Sequence, residues 1–343
     1  MGAQRMLGAC RLQQVDTTPV WFMRQAGRCF QEYRDLREKY DILTIAKTPE
    51  LSADVTLLPV DQLGVDAAVM FADIMLPLDG MGIPFHIEPE TGPIIEDPIR
   101  TEAQIDAIRV IDAVEATPFL FDAIRIIRER LGDRSALVGF SGSPFTLACY
   151  MIEGKPSRTY DKAKGLMLSR PELWHRLMEK TTEVVIRYLR EQIVTGVEVV
   201  QIFDSWVGVL SPQQYQSFVT PYLSRIFSAI RDTGVPSIHF GTGNASLIDL
   251  MNAVGPDIMS FDWRVDLDAA WAQIGYDKGV QGNLDPVLLL APWEAIQDGV
   301  RDVLRRAQGR PGHIFNLGHG VLPETNPDDL KRIVDLVHED GRK

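Results

Sequence analysis

Pro19-Val20-Trp21-Phe22-Met23-Arg24-Gln25-Ala26-Gly27-Arg28 is an apolar run of five residues that ends abruptly in a cation. Such a run is short enough for a strand buried on both faces. Arg34 and Arg37 follow, so positions 24–37 hold four arginines against two carboxylates, Glu32 and Asp35, a local balance of +2 in a chain of formal net charge −12. A guanidinium is planar, permanently charged and forks onto carboxylates. The excess points to a pocket for an anion.

The same pattern recurs along the chain. Short apolar, often β-branched runs occupy 67–71, 136–140, 199–203, 237–240, 258–261, 279–282 and 313–317, which with 19–23 makes eight. Helical patterns lie between most of them. Ser169-Arg170-Pro171-Glu172 reads as a capping box opening a long helix, with Leu173, Leu177, Val184, Tyr188 and Ile193 on its apolar face and Gly196 at its end. Ser211-Pro212 opens a helix that Gly234 closes, and Asn326-Pro327-Asp328-Asp329 starts the last, with acids in the first turn. The Gly- and Pro-rich stretch 81–98 predicts an inserted loop or hairpin.

Alternating strands and helices imply parallel strands with helical crossovers. Eight units are the count of a (β/α)8 TIM-type barrel, here a single domain over residues 1–343, with the active site at the C-terminal ends of its strands. Strand order is invisible in sequence, so a doubly wound open sheet is the alternative, and the run 19–23 could cover the barrel instead of joining it. The strand ends are more informative than the strand middles, and in a barrel they converge on one cleft. They read Arg24-Gln25, Ala72-Asp73, Ser141-Gly142-Ser143, Asp204-Ser205, Gly241-Thr242-Gly243, Asp262-Trp263, Asn283-Leu284-Asp285 and Gly318-His319-Gly320. Small and polar groups gather where parallel barrels place their chemistry.

Composition narrows the function. A hydrophobic content of 45% and a charged content of 24% are those of an ordinary globular chain. The acidic balance argues against nucleic acid as a partner. Three scattered cysteines, Cys10, Cys29 and Cys149, form no disulfide framework and no metal-ligand pair. The N-terminus lacks the apolar core of a signal peptide, and no run reaches the roughly 18–20 residues of a membrane span. A cytoplasmic protein is expected.

Each candidate residue carries two readings. Arg24 and Arg28, four apart around Gly27, are either a clamp on substrate carboxylates or partners in ordinary salt bridges. Asp73 directly follows an apolar strand, where a carboxylate needs a partner; it is a catalytic carboxylate or a cap on the next turn. Tyr150 is a site residue or a core tyrosine, Ser205 a site residue or a helix cap, and His319 a site residue or a turn residue. There is no G-x-S-x-G elbow. Gly139-Phe140-Ser141-Gly142 lacks the Lys-Ser/Thr ending of a phosphate loop.

The segment 19–28 with its Glu32-Tyr33-Arg34 continuation resembles the N-terminal signature of the uroporphyrinogen decarboxylase family. The likeness extends through Phe71-Ala72-Asp73, residues 139–150, Phe203-Asp204-Ser205-Trp206, residues 281–286 and Asn316-Leu317-Gly318-His319-Gly320, nearly the whole chain. The resemblance implies that Arg24, Gln25, Arg28 and Arg37 contact substrate, that Asp73 receives pyrrole N–H groups, and that Tyr150, Ser205 and His319 line the pocket. It implies conversion of uroporphyrinogen III to coproporphyrinogen III by loss of four acetate carboxylates. No cofactor or metal is called for, and a homodimer is expected. A sister family on the same fold, the zinc-dependent corrinoid methyltransferases, uses a His-x-Cys pair; here His239 is followed by Phe240-Gly241, so the thiolate is missing. Two departures from the family pattern stand out. Cys29-Phe30-Gln31 replaces the usual Tyr-Leu-Pro, which bears on the order of that loop, and Thr242 replaces a common Lys.

Overall fold

Seven of the eight apolar runs pair into one parallel sheet among the described residues, 1–89 and 91–342 of this computed structural model. The strands are β1 (Ala67–Val69), β2 (His86–Glu88), β3 (Gly92–Ile94), β4 (Ala136–Gly142), β5 (Val199–Asp204), β6 (Ser237–Gly241), β7 (Ile258–Ser260), β8 (Gly279–Gln281) and β9 (His313–Ile314). The large sheet has the order β1-β4-β5-β6-β7-β8-β9, and every neighbouring pair in it is parallel. Parallel neighbours consecutive in sequence, with helices between, give the TIM-type barrel the pattern predicts. β2 and β3 form the separate antiparallel hairpin expected within 81–98.

The eighth run closes the ring. Val20 makes a parallel bridge with Phe315, just beyond β9. The Phe315 N–H donates to Pro19 O at 2.8 Å and the Trp21 N–H to Phe315 O at 3.3 Å. On the other flank the Asp66 N–H, at the entrance to β1, donates to Val20 O at 2.8 Å. Residues 19–23 are thus a barrel stave and not a covering segment. They pair too briefly to count as a full strand.

Side chains complete the closure. Asp66 is 1% exposed. Its carboxylate accepts the Val20 N–H at 2.9 Å and lies 3.3 Å from Arg5 Nη1 and 2.7 Å from His338 Nε2. One buried acid therefore joins the N-terminal helix Gly2–Cys10, the closing stave, β1 and the C-terminal helix Pro327–Asp340. Inside the barrel the Trp21 indole N–H donates to Gln281 Oε1 at 3.0 Å, and Gln281 Nε2 donates to Gln201 Oε1 at 3.0 Å and Ser260 Oγ at 2.9 Å. A buried polar layer ties the closing stave to β5, β7 and β8.

Two helix boundaries differ from expectation. Ser169 does not cap the long helix Pro171–Thr195; it ends the preceding helix Asp161–Ser169, where its hydroxyl donates to Gly165 O at 2.7 Å. Arg170 stands at the cap position instead. The segment after Ser211 is two helices, Pro212–Phe218 and Thr220–Arg231, because Pro221 has no N–H to continue the first. The helix start at Ser211-Pro212 forms as predicted, with Ser211 and Gln214 completing a capping box, and so does the start at Asn326, which caps the last helix. No described helix is long and apolar enough to cross a membrane.

Removing the hub tests this account of closure. Asp66→Ala leaves donors on three elements, the buried Val20 N–H and the partly buried Arg5 and His338 side chains, without their acceptor and should cost about 3–5 kcal/mol in urea denaturation. A loss below about 1 kcal/mol would show that closure does not depend on Asp66.

Candidate active site

The closing stave delivers its cation through a backbone reversal. Arg24 has φ +58°, in the left-handed region that side chains other than glycine rarely adopt. Gln25 holds the turn. Its Oε1 accepts the Phe22 N–H at 3.0 Å, and its Nε2 donates to Ala67 O of β1 at 2.9 Å. Gln25 is buried, so its amide fastens the stave and is not presented to the cleft.

Gly318-His319-Gly320 crosses in front of this turn. A side chain at Gly318 would lie 2.4 Å from Trp263 N, and one at Gly320 would lie 2.5 Å from Arg24 Cδ. The first glycine admits the backbone after β7, and the second seats the stem of Arg24. Asn316 Oδ1 accepts the Met23 N–H at 2.9 Å, and the Val321 N–H donates to Met23 O at 2.8 Å. His319 stands half-buried between the rings of Phe240 and Trp263, with centroids at 6.2 Å and 6.4 Å. Burial, then the charges of Arg24 and Arg264, lower its pKa to about 4 against a partial counter-effect of Asp262. The imidazole is neutral at physiological pH.

Asp73 lies beyond β1 and is partly buried. Its carboxylate accepts the Met75 N–H at 2.8 Å, so the cap reading is correct as far as it goes. Burial raises its pKa nonetheless, opposed by that hydrogen bond and by the charge of Arg24. Tyr150 is buried on the helix Pro144–Glu153, against Trp206 at 5.9 Å between centroids. Burial and Asp73 push its pKa up, against Arg24, so its hydroxyl keeps its proton. That helix is fixed to β5: Ser143 caps it, donates its hydroxyl to Asp204 Oδ1, and donates its N–H to Phe203 O at 2.9 Å. Ser205 follows Asp204, half-buried, and its carbonyl accepts the Thr242 hydroxyl.

The arginines divide. Arg24, Asp73, Tyr150 and His319 share one electrostatic neighbourhood. Arg37 and Arg28 lie by Tyr33, where burial raises the phenol's pKa and their charges partly oppose it, and the Tyr33 ring meets Phe71 edge-on at 5.5 Å, two residues before Asp73. Neither Arg24 nor Arg28 makes an ion pair among the described residues, whereas Arg34 donates to Arg28 O at 2.6 Å and Cys29 O at 3.0 Å. Arg34 thereby ties down the loop that lost its proline. Cys29 and Phe30 are buried beneath it.

The profile of the family described as uroporphyrinogen decarboxylase matches residues 1–340. The chain belongs to the uroporphyrinogen decarboxylase family. Relatives named uroporphyrinogen decarboxylase include one from Carboxydothermus hydrogenoformans, 50% identical over 97% of this chain and 95% of its own, and one from Roseiflexus, 47% identical over 99% of both. Among solved structures, a methyltransferase from Methanosarcina mazei superposes with a TM-score of 0.84 at 21% identity over 99% of this chain and 98% of that one. A B12-independent methionine synthase from Shewanella does so at 0.56 and 10% identity, over 96% and 97%. At these identities the likeness is one of fold.

A side chain at Gly241 would meet Met251 Cε at 2.8 Å, so a cysteine there requires Met251 to move. His239 is buried in β6, its Nε2 3.5 Å from Asp204 Oδ2.

Sequence reasoning missed the acids behind the site. Asp204 and Asp262 are both 0% exposed; Asp204 ends β5 and Asp262 lies just beyond β7, much as Asp73 lies just beyond β1. The signal was present, but spacing alone does not separate an acid facing the cleft from one supporting it.

Gly320→Ala tests the seat of Arg24. The glycine has no positive φ, so the added methyl acts on the Arg24 stem and not on the backbone. Turnover should fall about 10- to 100-fold with the thermal midpoint within about 3 °C of wild type. Unchanged turnover would mean that Arg24 needs no fixed position.

Proposed function

We propose that the protein converts uroporphyrinogen III to coproporphyrinogen III, removing four acetate carboxylates as CO2. The observation that carries the reading is a desolvated carboxylate, Asp73, set beside Arg24. Arg24 and Arg28 both lack an acidic partner among the described residues. A ligand that fits brings anions for the arginines and N–H donors for the acid. A cyclic tetrapyrrole with eight carboxylates brings both.

The chemistry needs no separate electron sink, because the pyrrole ring provides one. Protonation at a ring carbon makes a cation. The electron pair of the bond to the acetate carboxylate then flows into the ring and CO2 departs; a proton on the exocyclic carbon completes the methyl, and loss of the proton first added to the ring carbon restores the pyrrole. Asp73 accepts pyrrole N–H bonds and opposes the cation, an interaction set in place before the charge appears. Arg24 and Arg28 hold carboxylates, with Arg37 at the rim. Tyr150 donates from a hydroxyl that stays protonated, Ser205 and His319 orient the ring, and Gln25 positions Arg24. A homodimer in the cytoplasm is proposed on the family resemblance, and sedimentation distinguishes it from a 38.4 kDa monomer.

Anaerobic incubation with uroporphyrinogen III and a strong chelator, with products separated by carboxylate number, tests the activity. Failure to form products with fewer carboxylates would overturn it. Asp73→Asn then tests the mechanism. Burial raises the acid's folded pKa above 3.8, so its contribution to stability is full below that value and is lost as pH rises through the raised pKa. At neutral pH the variant should therefore match or exceed wild type in thermal midpoint, while turnover falls roughly 10² to 10³-fold. A lowered midpoint with normal turnover would reduce Asp73 to a cap.

A further inference from the structure

Arg264 is an arginine whose placement the reaction above does not use. It follows β7 at the same face of the barrel as Arg24 and His319. Its Nη1 donates to Asp262 Oδ2 at 2.6 Å, and its guanidinium carbon lies 4.0 Å from the centroid of the Trp263 ring. The acid is wholly buried, whereas the arginine side chain is 52% exposed. Its Nε and Nη2 donate to no described residue. A buried carboxylate and an aromatic face hold the fork in one orientation, and its remaining donors are available to a ligand.

The position relative to the site follows from the barrel order. Arg24 ends the closing stave, His319 follows β9, and Arg264 follows β7, so the two arginines flank His319 from opposite sides. Both charges are felt at the imidazole, where both disfavour protonation. Trp263 lies edge-on to His319, and its backbone packs against Gly318.

Holding the loop does not require the guanidinium. Asp262 Oδ1 accepts the Arg264 backbone N–H at 2.9 Å, and Oδ2 accepts the Gly243 N–H at 2.7 Å. Asn283 Nδ2 donates to Asp262 O at 2.9 Å and to Val265 O at 2.7 Å. These bonds survive any replacement of the Arg264 side chain. Many of the other arginines pair with acids on outer helices, such as Arg125 with Asp122 and Arg332 with Asp329. Arg264 instead takes its partner from the end of a barrel strand.

We propose that Arg264 is a further carboxylate-binding arm of the substrate site, placed across His319 from Arg24. The inference rests on the reading that the site takes a polycarboxylate macrocycle. Carboxylates radiate around the rim of such a ring, so cations on one side alone would grip it on one side alone. Arg264 supplies a second point of grip, and as a fork it selects a carboxylate over a neutral side chain.

Steady-state kinetics with uroporphyrinogen III, together with equilibrium binding of the fluorescent octacarboxylate uroporphyrin, test the proposal on the full chain. Arg264→Gln should raise KM and the uroporphyrin Kd about tenfold, the loss expected for one charge-assisted hydrogen bond, and by more than it changes kcat. The rise of KM with salt should be shallower than in wild type. Arg264→Lys, which keeps the charge but not the fork, should recover part of the affinity. Wild-type KM, Kd and salt dependence in Arg264→Gln would overturn the proposal. So would a lower thermal midpoint with a matching fall in kcat in both variants, which marks a loop-holding role. If wild type neither binds uroporphyrin nor turns over its reduced form, the substrate reading fails and the inference fails with it. Wild-type activity with unaltered variants defeats the inference alone.

Discussion

Everything at the catalytic face depends on how the barrel closes. A stave of five residues fills the gap between the first and last strands of the sheet, with backbone bonds on both flanks and Asp66 behind it. A longer strand would satisfy its N–H groups through the ladder alone. This one is too short, so a buried carboxylate and the Gln25 amide supply what the ladder omits. The brevity has a chemical consequence: the chain turns out of the wall at Arg24, at positive φ, and the cation stands at the rim of the barrel.

Around that rim the strand ends are tied in sequence. Ser143 reaches Asp204, Thr242 reaches the Ser205 carbonyl, Gly243 reaches Asp262, and Gly318 packs on Trp263. Side chains and backbone amides thus set the spacing of the loops, so residues carried by different strands keep fixed positions. This is the preorganisation that electrostatic catalysis requires, since donors and charges that must first move give up part of their effect.

The free site is electrostatically unsatisfied. Asp73 is desolvated and has one backbone donor, Arg24 and Arg28 have no acidic partner among the described residues, and His319 is kept neutral by the charges beside it. In the N-terminal and outer parts of the molecule the opposite holds, with Arg5, Arg128 and Arg306 each paired. In the proposed reaction the substrate supplies the missing partners.

The sequence by itself determined the strands, most helix starts, and the list of polar residues at the strand ends, because burial periodicity and cap chemistry are local. It also singled out Arg24, Arg28, Asp73 and His319 as chemically unusual. Tertiary structure alone decided three matters. It made residues 19–23 a stave, since pairing with Phe315 and Asp66 is a long-range event that no local pattern encodes. It separated acids with the same signature: Asp73 stays partly exposed, whereas Asp204 and Asp262 are wholly buried and bonded to Ser143 and Arg264. It also gave Gly318 and Gly320 their reasons, since a glycine's need is set by the atom that would meet its side chain, here the Trp263 backbone and the stem of Arg24.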